Sequence, residues 1–556
     1  MASACTSEAA LNDTCPWPRQ LLYIPTLTSF HWRPGNTYND IREPAYFAIT
    51  YTWGRWELGN GEFPELCALD FGTPWKIPRV HPDCFTPDQL RQLICKLPLI
   101  HGPDEPWAQV QFVWIDIACI DQRDGSREKD LEIGRQAVIF RGATKVYAWL
   151  REHTNADIDA AIKTFEQGID LLTEGDWGTQ FTEAQQSGLD LALKSFEFVT
   201  SDPWFSSLWT LQEAYLRPEL LLVDRNGELW PSVSPSVPFW LKELTTFCQG
   251  FYGIITRALC RQPKALQEVQ NRLRRTGLLG LYYGFPVELL MAAHFRTVSP
   301  KRLTDRVYGI MQVFDLKLGK SAPASPLGRD YNLQELEDQL GSALLAQNQD
   351  LSQMFVHTRP AAPGQAWRLS HHIRAPESAL SPMWIVKDLK NLLRRASTLS
   401  VKHVGNVLVG HFAGLMAPLT ALTCIWSRQS PHSLPAVQID LDAVSFYDPP
   451  TELVYGGEDI REMVGTRYVD LASWVAERRA DARMLLLGLY QKYDRPSLLG
   501  LILVRAEQSN VTEWTRAGIC WWEHPGETGG LTRDDEEREL LKGEGKQWDY
   551  ATGTFG

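Results

Sequence analysis

The sequence lacks most of the patterns that assign a chemistry at sight. Its ten cysteines, spread over 556 residues, include no pair at C-x-x-C spacing, so neither a zinc ribbon nor a dithiol redox centre is expected. There is no H-E-x-x-H for a metalloprotease and no G-x-S-x-G elbow for a serine hydrolase. Gly319, Lys320 and Ser321 match the end of a phosphate-binding loop, but Phe314 stands where its first glycine is required; without that glycine the backbone cradle is not made. An excess of positive charge is also missing: 55 Lys and Arg against 67 Asp and Glu give a formal charge of −12. Neutralising a phosphate backbone needs a basic surface, so nucleic acid is not an expected partner. The compact basic run Arg272 to Arg275 reads as a solvated helix face. Met1 to Gln20 has neither the basic start nor the apolar run of a secretory leader. The expectation is a cytoplasmic protein with reduced thiols.

What is present is an ordinary folding composition, 44% hydrophobic and 22% charged, in a chain too long for one core. The boundaries suggested by turn clusters are an N-terminal arm over 1–42, an α/β region over 43–225, a mostly helical extension over 226–330, and a mixed, β-rich C-terminal module over 331–556. One stretch, Val407 to Trp426, holds no Asp, Glu, Lys or Arg and is long enough to cross a bilayer. His411 and Pro418 interrupt it, however, so buried strands or a core helix are the simpler expectation and a membrane role is not favoured.

The organising stretch is Gln111 to Leu150. Phe112 to Ile117 is apolar, β-branched and aromatic, with Asp116 as its single acid, which suits a buried central strand. Ala118 to Ser126 is polar and must turn. Ser126 is a fair helix N-cap, Glu128 and Asp130 suit the positive end of the helix that follows, and Gly142 ends it. Lys145 to Leu150 is a second buried strand. This is a βαβ unit, and the loop at a strand's carboxyl end in such sheets commonly carries the site. Tyr46 to Tyr51 is a third apolar strand, running into Thr52, Trp53 and Gly54. Downstream, Asp202 caps and Pro203 starts a helix to Leu216, on which Trp209 and Glu213 share a face. Leu208, Leu211 and Tyr215 anchor the other side. Glu213 is therefore expected to face a pocket as a largely exposed acid.

Three motifs in order, Y-x-W-G (Tyr51 to Gly54), W-I-D-x-x-C-I-D-Q (Trp114 to Gln122) and W-x-x-Q-E (Trp209 to Glu213), resemble the HET domain, named for fungal heterokaryon incompatibility. Asp305, Arg306 and Tyr308 resemble that family's downstream D-[RK]-x-Y segment. Departures from the usual pattern are Thr50 for Ser, Asp121 for Asn and Ser207 for Arg. HET domains are distantly similar to TIR domains, whose parallel-sheet fold often hydrolyses NAD with a Glu in a W-x-x-x-E helix. The resemblance thus implies a TIR-like α/β core with flanking helices, a cell-death or immunity role, and NAD or a related nucleotide as substrate, with no bound cofactor. A protein trigger and a homo-oligomer are further implications.

On this reading Glu213 is the catalytic candidate. An acid beside Trp is where desolvation raises a pKa, and its alternative is an ordinary helix acid. Tyr51, Trp53, Gly54, Asp116, Asp121, Gln122 and Trp209 are the substrate-binding candidates. Trp53 could stack on a nucleotide ring or plug the sheet's end. Asp116, Asp121 and Gln122 could meet ribose hydroxyls or tie the loop backbone together. Cys119 reads as a small buried residue and not as a nucleophile. Against the enzyme stands a non-enzymatic HET module that signals by homotypic assembly.

Overall fold

The computed structural model describes residues 17–556 apart from 60–61, 64–65, 67–68, 101, 103, 105, 176–180, 232–238, 260–262, 285, 371, 375–391, 420–436, 443–480, 493–494, 507–510 and 524–547. The chain forms two compact units, Met1–Leu336 and Glu337–Gly556.

The first unit is built on a six-stranded mixed sheet. Its strands are β1 (Gln20–Tyr23), β2 (Thr28–His31), β3 (Tyr46–Thr50), β4 (Phe112–Trp114), β5 (Lys145–Trp149) and β6 (Leu221–Val223). The spatial order is β2-β1-β4-β3-β5-β6. β1 is antiparallel to both its neighbours, whereas β4, β3, β5 and β6 run parallel. Every residue of β3 is buried, as expected of a strand covered on both faces. Within the N-terminal segment, Leu21 and Leu22 are fully buried and β1 pairs with β4. One expectation is corrected. The central strand is Tyr46–Thr50, and Phe112 begins a strand that ends at Trp114. Asp116 instead opens a one-turn helix, Asp116–Cys119, accepting from the Ile117 N–H at 2.7 Å. That turn is itself buried at Ile117, Ala118 and Cys119, so its apolar run is indistinguishable from a strand by composition.

The crossover after it is also broken in two, into α2 (Arg127–Ile133) and α3 (Gln136–Gly142), which follow α1 (Pro87–Lys96). The break lies at Gly134, where a Cβ would stand 2.8 Å from the Ser321 carbonyl oxygen. Beside it Arg135 and Glu132 form a buried ion pair at 3.2 Å. α4 (Asn155–Thr173) and α5 (Glu183–Val199) form a helical hairpin that closes tightly. A Cβ on Gly168 would meet the Ala192 nitrogen at 2.6 Å, and one on Gly188 the Leu172 nitrogen at 2.5 Å. Further helices lie at Leu241–Leu259, Pro263–Arg275, Leu278–Tyr283 and Pro286–Phe295.

The second unit is β-rich. β7 (Ser397–Val404) and β8 (Val407–Pro418) form a hairpin, and β9 (Arg483–Lys492), β10 (Arg495–Arg505) and β11 (Trp514–Glu523) a meander. β12 (Asp549–Phe555) pairs with β8 over Phe555 to Asp549 and meets β11 at Trp514. β8 then reaches β9 through Met416 to Pro418, which closes the sheet into a barrel. Alternating residues feed two cores: Leu485, Leu487, Leu499 and Leu501 one, Met484, Leu486, Leu498 and Ile502 the other. Arg516 and Asp442, both buried, are joined at 2.6 Å, and Asp442 also accepts from the His357 N–H at 2.7 Å. The uncharged run beginning at Val407 is therefore a barrel strand to Pro418; its end, 420–426, lies outside the described residues, as does the charged segment Thr532 to Lys546. Among the described residues no helix is long and apolar enough to cross a membrane.

One cation fixes the helix that matters most for the site. α6 (Leu208–Leu216) ends at Arg217, whose Nη1 donates to the carbonyls of Phe140 at 2.7 Å and Ala143 at 2.6 Å. A guanidinium at a helix C-terminus satisfies carbonyls that have no intrahelical donor. Arg217→Met keeps most of the volume and removes those donors. A loss of about 1.5–3 kcal/mol in urea unfolding is expected, the usual range for hydrogen bonds to a charged group.

Candidate active site

In a parallel sheet the carboxyl ends of neighbouring strands open a crevice where their connections leave in opposite directions. β3 connects onward to β4 on one side, and β5 to β6 on the other, so that point lies between β3 and β5. Thr50 is the last residue of β3, opposite Ala148 of β5. Its hydroxyl is fully buried and lies between two partners. Trp204 Nε1–H donates to Thr50 Oγ1 at 2.9 Å, and Thr50 in turn donates to Glu213 Oε2. Trp204 reaches Thr50 from a 3-10 turn, Pro203–Ser206, capped by Asp202. This differs from the sequence reading, in which Asp202 and Pro203 start the long helix; α6 begins only at Leu208. Asp202 also accepts from the N–H groups of Arg151 at 2.6 Å and Glu152 at 3.0 Å, which ties the turn to the end of β5.

Glu213 itself is 8% exposed. The expectation of a largely exposed acid is corrected: α6 is buried on almost every side, at Leu208, Thr210, Leu211, Gln212, Glu213, Ala214 and Leu216. A helix packed all round cannot be oriented from a one-sided apolar stripe. The neighbouring Gln212 shows what holds it. Gln212 donates to Gln136 at 3.2 Å and accepts from the Gln312 N–H at 2.9 Å, while the Gln312 side chain donates to Gly134 O at 2.9 Å. This satisfied buried network explains the glutamine of the W-x-x-Q-E pattern as a positioning device.

Asp116 is the second carboxyl. It is half-buried and accepts from Trp53 Nε1–H at 2.7 Å through Oδ2 and from the Ile117 N–H at 2.7 Å through Oδ1. The Tyr51 hydroxyl lies buried near it without a hydrogen bond of normal geometry. Burial pushes Asp116 above the usual carboxylate range, against the pull of these donors. Burial pushes Glu213 up further; the Thr50 hydrogen bond opposes this and the charge of Asp116 adds to it. The structure thus brings Tyr51, Trp53, Asp116 and Glu213 together around the end of β3. Trp53, 8% exposed, serves there as a donor to Asp116.

The remaining candidates stand apart from that group. Asp121 is bound by Arg123 at 2.7 Å and by Ser126 at 2.6 Å; burial acts upward, but these donors hold its carboxyl down at about 2. Gln122 donates to Asp116 O at 3.1 Å and Ile120 O at 2.8 Å, so it holds loop backbone. Trp209 is half-buried and donates to Asp305 at 3.2 Å. Gly54 opens an exposed 3-10 turn, Gly54–Trp56, with open space where a Cβ would be. Arg306 donates to Ala293 O at 3.0 Å, and the Tyr308 hydroxyl accepts from Lys320 N–H at 3.1 Å. Cys119 is buried and its thiol is pushed up to about 12, first by burial, which makes it a poor nucleophile. Thr50 and Trp204 were not among the sequence candidates. The available signal was a lone hydroxyl ending an all-apolar strand. An apolar cavity of about 30 Å³, lined by Phe165, Phe196, Trp230, Phe239 and Phe247 among others, includes none of these residues.

Residues 46–213 match a family model described as Heterokaryon incompatibility protein (HET). The match runs from the first residue of β3 to Glu213, so the chain carries a HET domain whose span contains Thr50, Asp116, Trp204 and Glu213. No curated protein and no solved structure matches the chain.

The buried acid makes stability depend on pH in a definite direction. Glu213 holds its proton more tightly folded than unfolded. As pH rises from about 4.3, the ordinary glutamate value, the unfolded chain ionises first, and stability falls until the folded group also ionises. Glu213→Gln has no such loss. Its melting temperature is expected to exceed that of the wild type by a few degrees at neutral pH, with the gain fading towards pH 4. Scanning calorimetry across that window measures it; a variant destabilised equally at both ends would contradict it.

Proposed function

We propose that this HET-domain protein acts in heterokaryon incompatibility by hydrolysing NAD at the nicotinamide glycosidic bond. The supporting observation is the presence of two carboxyls, Glu213 and Asp116, near the carboxyl ends of β3 and β4. Carboxyl groups flanking a glycosidic carbon stabilise an oxocarbenium-like transition state and hold the sugar hydroxyls. In this reaction the bond from ribose C1′ to the ring nitrogen breaks, and its electron pair leaves with nicotinamide. Water supplies the hydroxyl at C1′ and gives up a proton. The proposed TIR-like relationship rests on the same features: a helix reading Trp209-x-x-x-Glu213 follows a set of parallel strands.

Other residues of the unit suit a nucleotide. Trp209, one turn before Glu213 on α6, is half-buried, and its ring face can stack on a base. Lys129 lies within electrostatic reach of Arg302, and its ammonium has no ion-pair partner among the described residues. Exposed Arg55 follows Trp53 and Gly54 in the first motif. Such cations suit a diphosphate.

The test is nicotinamide release from NAD by purified protein. The wild type is expected to turn over, and Glu213→Ala and Asp116→Asn to lose at least about 10²-fold in kcat, the usual scale for removing a transition-state charge or hydrogen bond. A wild type with no turnover, even when assembled into a homo-oligomer, would replace this reading with the non-enzymatic signalling module.

A further inference from the structure

The two carboxyls at the crevice differ in what surrounds them. Asp116 uses both oxygens as acceptors, Oδ1 towards the Ile117 N–H and Oδ2 towards the Trp53 indole, each at 2.7 Å. Neither a backbone N–H nor an indole N–H can accept a proton. Protonating either oxygen of Asp116 would therefore weaken one of these two bonds, although the Tyr51 hydroxyl beside it can both donate and accept. Glu213 is different. Its Oε2 accepts from Thr50, and its Oε1 has no hydrogen-bond partner among the described residues.

The direction of the Thr50 bond is fixed by the same counting. Trp204 Nε1 is a donor only, so Thr50 Oγ1 accepts from it at 2.9 Å. Thr50 has one hydroxyl hydrogen, and Glu213 is the acceptor within its reach. That hydrogen occupies Oε2 and leaves Oε1 for a proton. The groups acting on Glu213 are Thr50 and Asp116, with no cation among them. Around Asp116 stand Trp53, Tyr51 and Ile117. Elsewhere on α6, Trp209 is taken up by Asp305 and Gln212 by Gln136. The charge of Asp116 acts on Glu213, so ionising one carboxyl disfavours ionising the other.

We propose that Glu213 holds the proton of this pair on Oε1, that Asp116 carries its negative charge, and that Thr50 and Trp204 are the positioning residues that keep it so. The stronger upward push on Glu213 agrees with this allocation. Its consequence for catalysis rests on the NAD reading. Asp116 becomes the charge facing the ribosyl cation and the acceptor of the proton that water releases on joining C1′. Glu213 becomes a neutral donor to a ribose hydroxyl. A glutamine can imitate that neutral acid: its amide oxygen accepts from Thr50 and its NH₂ takes the place of the Oε1 hydroxyl.

Two measurements test the allocation. The first needs no activity. Infrared difference spectra at neutral pH are expected to show a protonated-carboxyl carbonyl band that is lost in Glu213→Gln and kept in Asp116→Asn. Should Glu213→Gln not fold, isotope-labelled glutamate in the otherwise unaltered protein must shift that band. Thr50→Val must then move it where Thr50→Ser does not, which separates Glu213 from the distant Glu132. A band lost in Asp116→Asn but kept in Glu213→Gln, or no such band at all, overturns the proposal. The second measurement is NAD turnover. Glu213→Gln is expected to stay within about tenfold of the wild type, whereas Asp116→Asn falls at least about 10²-fold. Equal losses would overturn Asp116 as the bearer of charge. An inactive wild type removes the NAD reading and leaves the infrared spectrum to decide the proton.

Discussion

Glu213 is held by one hydroxyl, that of Thr50, and much of the first unit is arranged to put that hydroxyl in place. β3 has parallel neighbours on both sides, so its carboxyl end is fixed to within the tolerance of two hydrogen-bonded ladders. Trp204 is brought to Thr50 by a turn that Asp202 caps, and Asp202 is itself bonded to the end of β5. α6 is held from the opposite side by Gln212 and at its end by Arg217. Each tie uses a donor or acceptor that has few other partners available. A site built on rigid elements and supported by satisfied hydrogen bonds keeps its geometry without help from a ligand.

Placing two carboxyls there is costly. A buried acid loses its hydration, and its neighbour's charge adds repulsion. Other buried acids of this unit are better provided for. Glu132 has Arg135 at 3.2 Å, and Asp202 accepts from three backbone N–H groups. Glu213 has a single hydroxyl donor and no cation. Poorly compensated groups of this kind persist where chemistry needs them, at the expense of stability. This contrast within one domain is a stronger reason to regard Glu213 as functional than its position in a motif.

The second unit follows a different physical logic. Closing β8 onto β9 and β12 pairs strand edges that would otherwise invite aggregation. Burying both faces of β9 and β10 gives it two apolar clusters of its own. Arg516 is satisfied there by Asp442 and by the Gln353 carbonyl at 3.2 Å. Arg516 and Asp442 thus form a matched buried pair in this unit.

Local pattern was enough for much of the architecture. The apolar runs at Tyr46 and Lys145 and the cap at Ser126 follow from side-chain period and turn chemistry, which act over a few residues. The motifs around Trp53, Asp116 and Trp209 likewise sufficed for the HET domain. Tertiary structure decided the rest. Phe112 to Ile117 reads as one strand, but Asp116 hydrogen-bonds the next N–H and turns the chain inside the core. The same apolar composition serves a buried strand and a buried turn, so sequence could not separate them. Glu213 looked exposed because helix period assigns a polar residue to the outside, and only the strands, the 3-10 turn and Gln312, distant in sequence, make nearly every side of α6 an inside. The partnership of Thr50, Trp204 and Glu213 spans more than 150 residues, and such contacts exist only once the sheet has set which strand ends are neighbours.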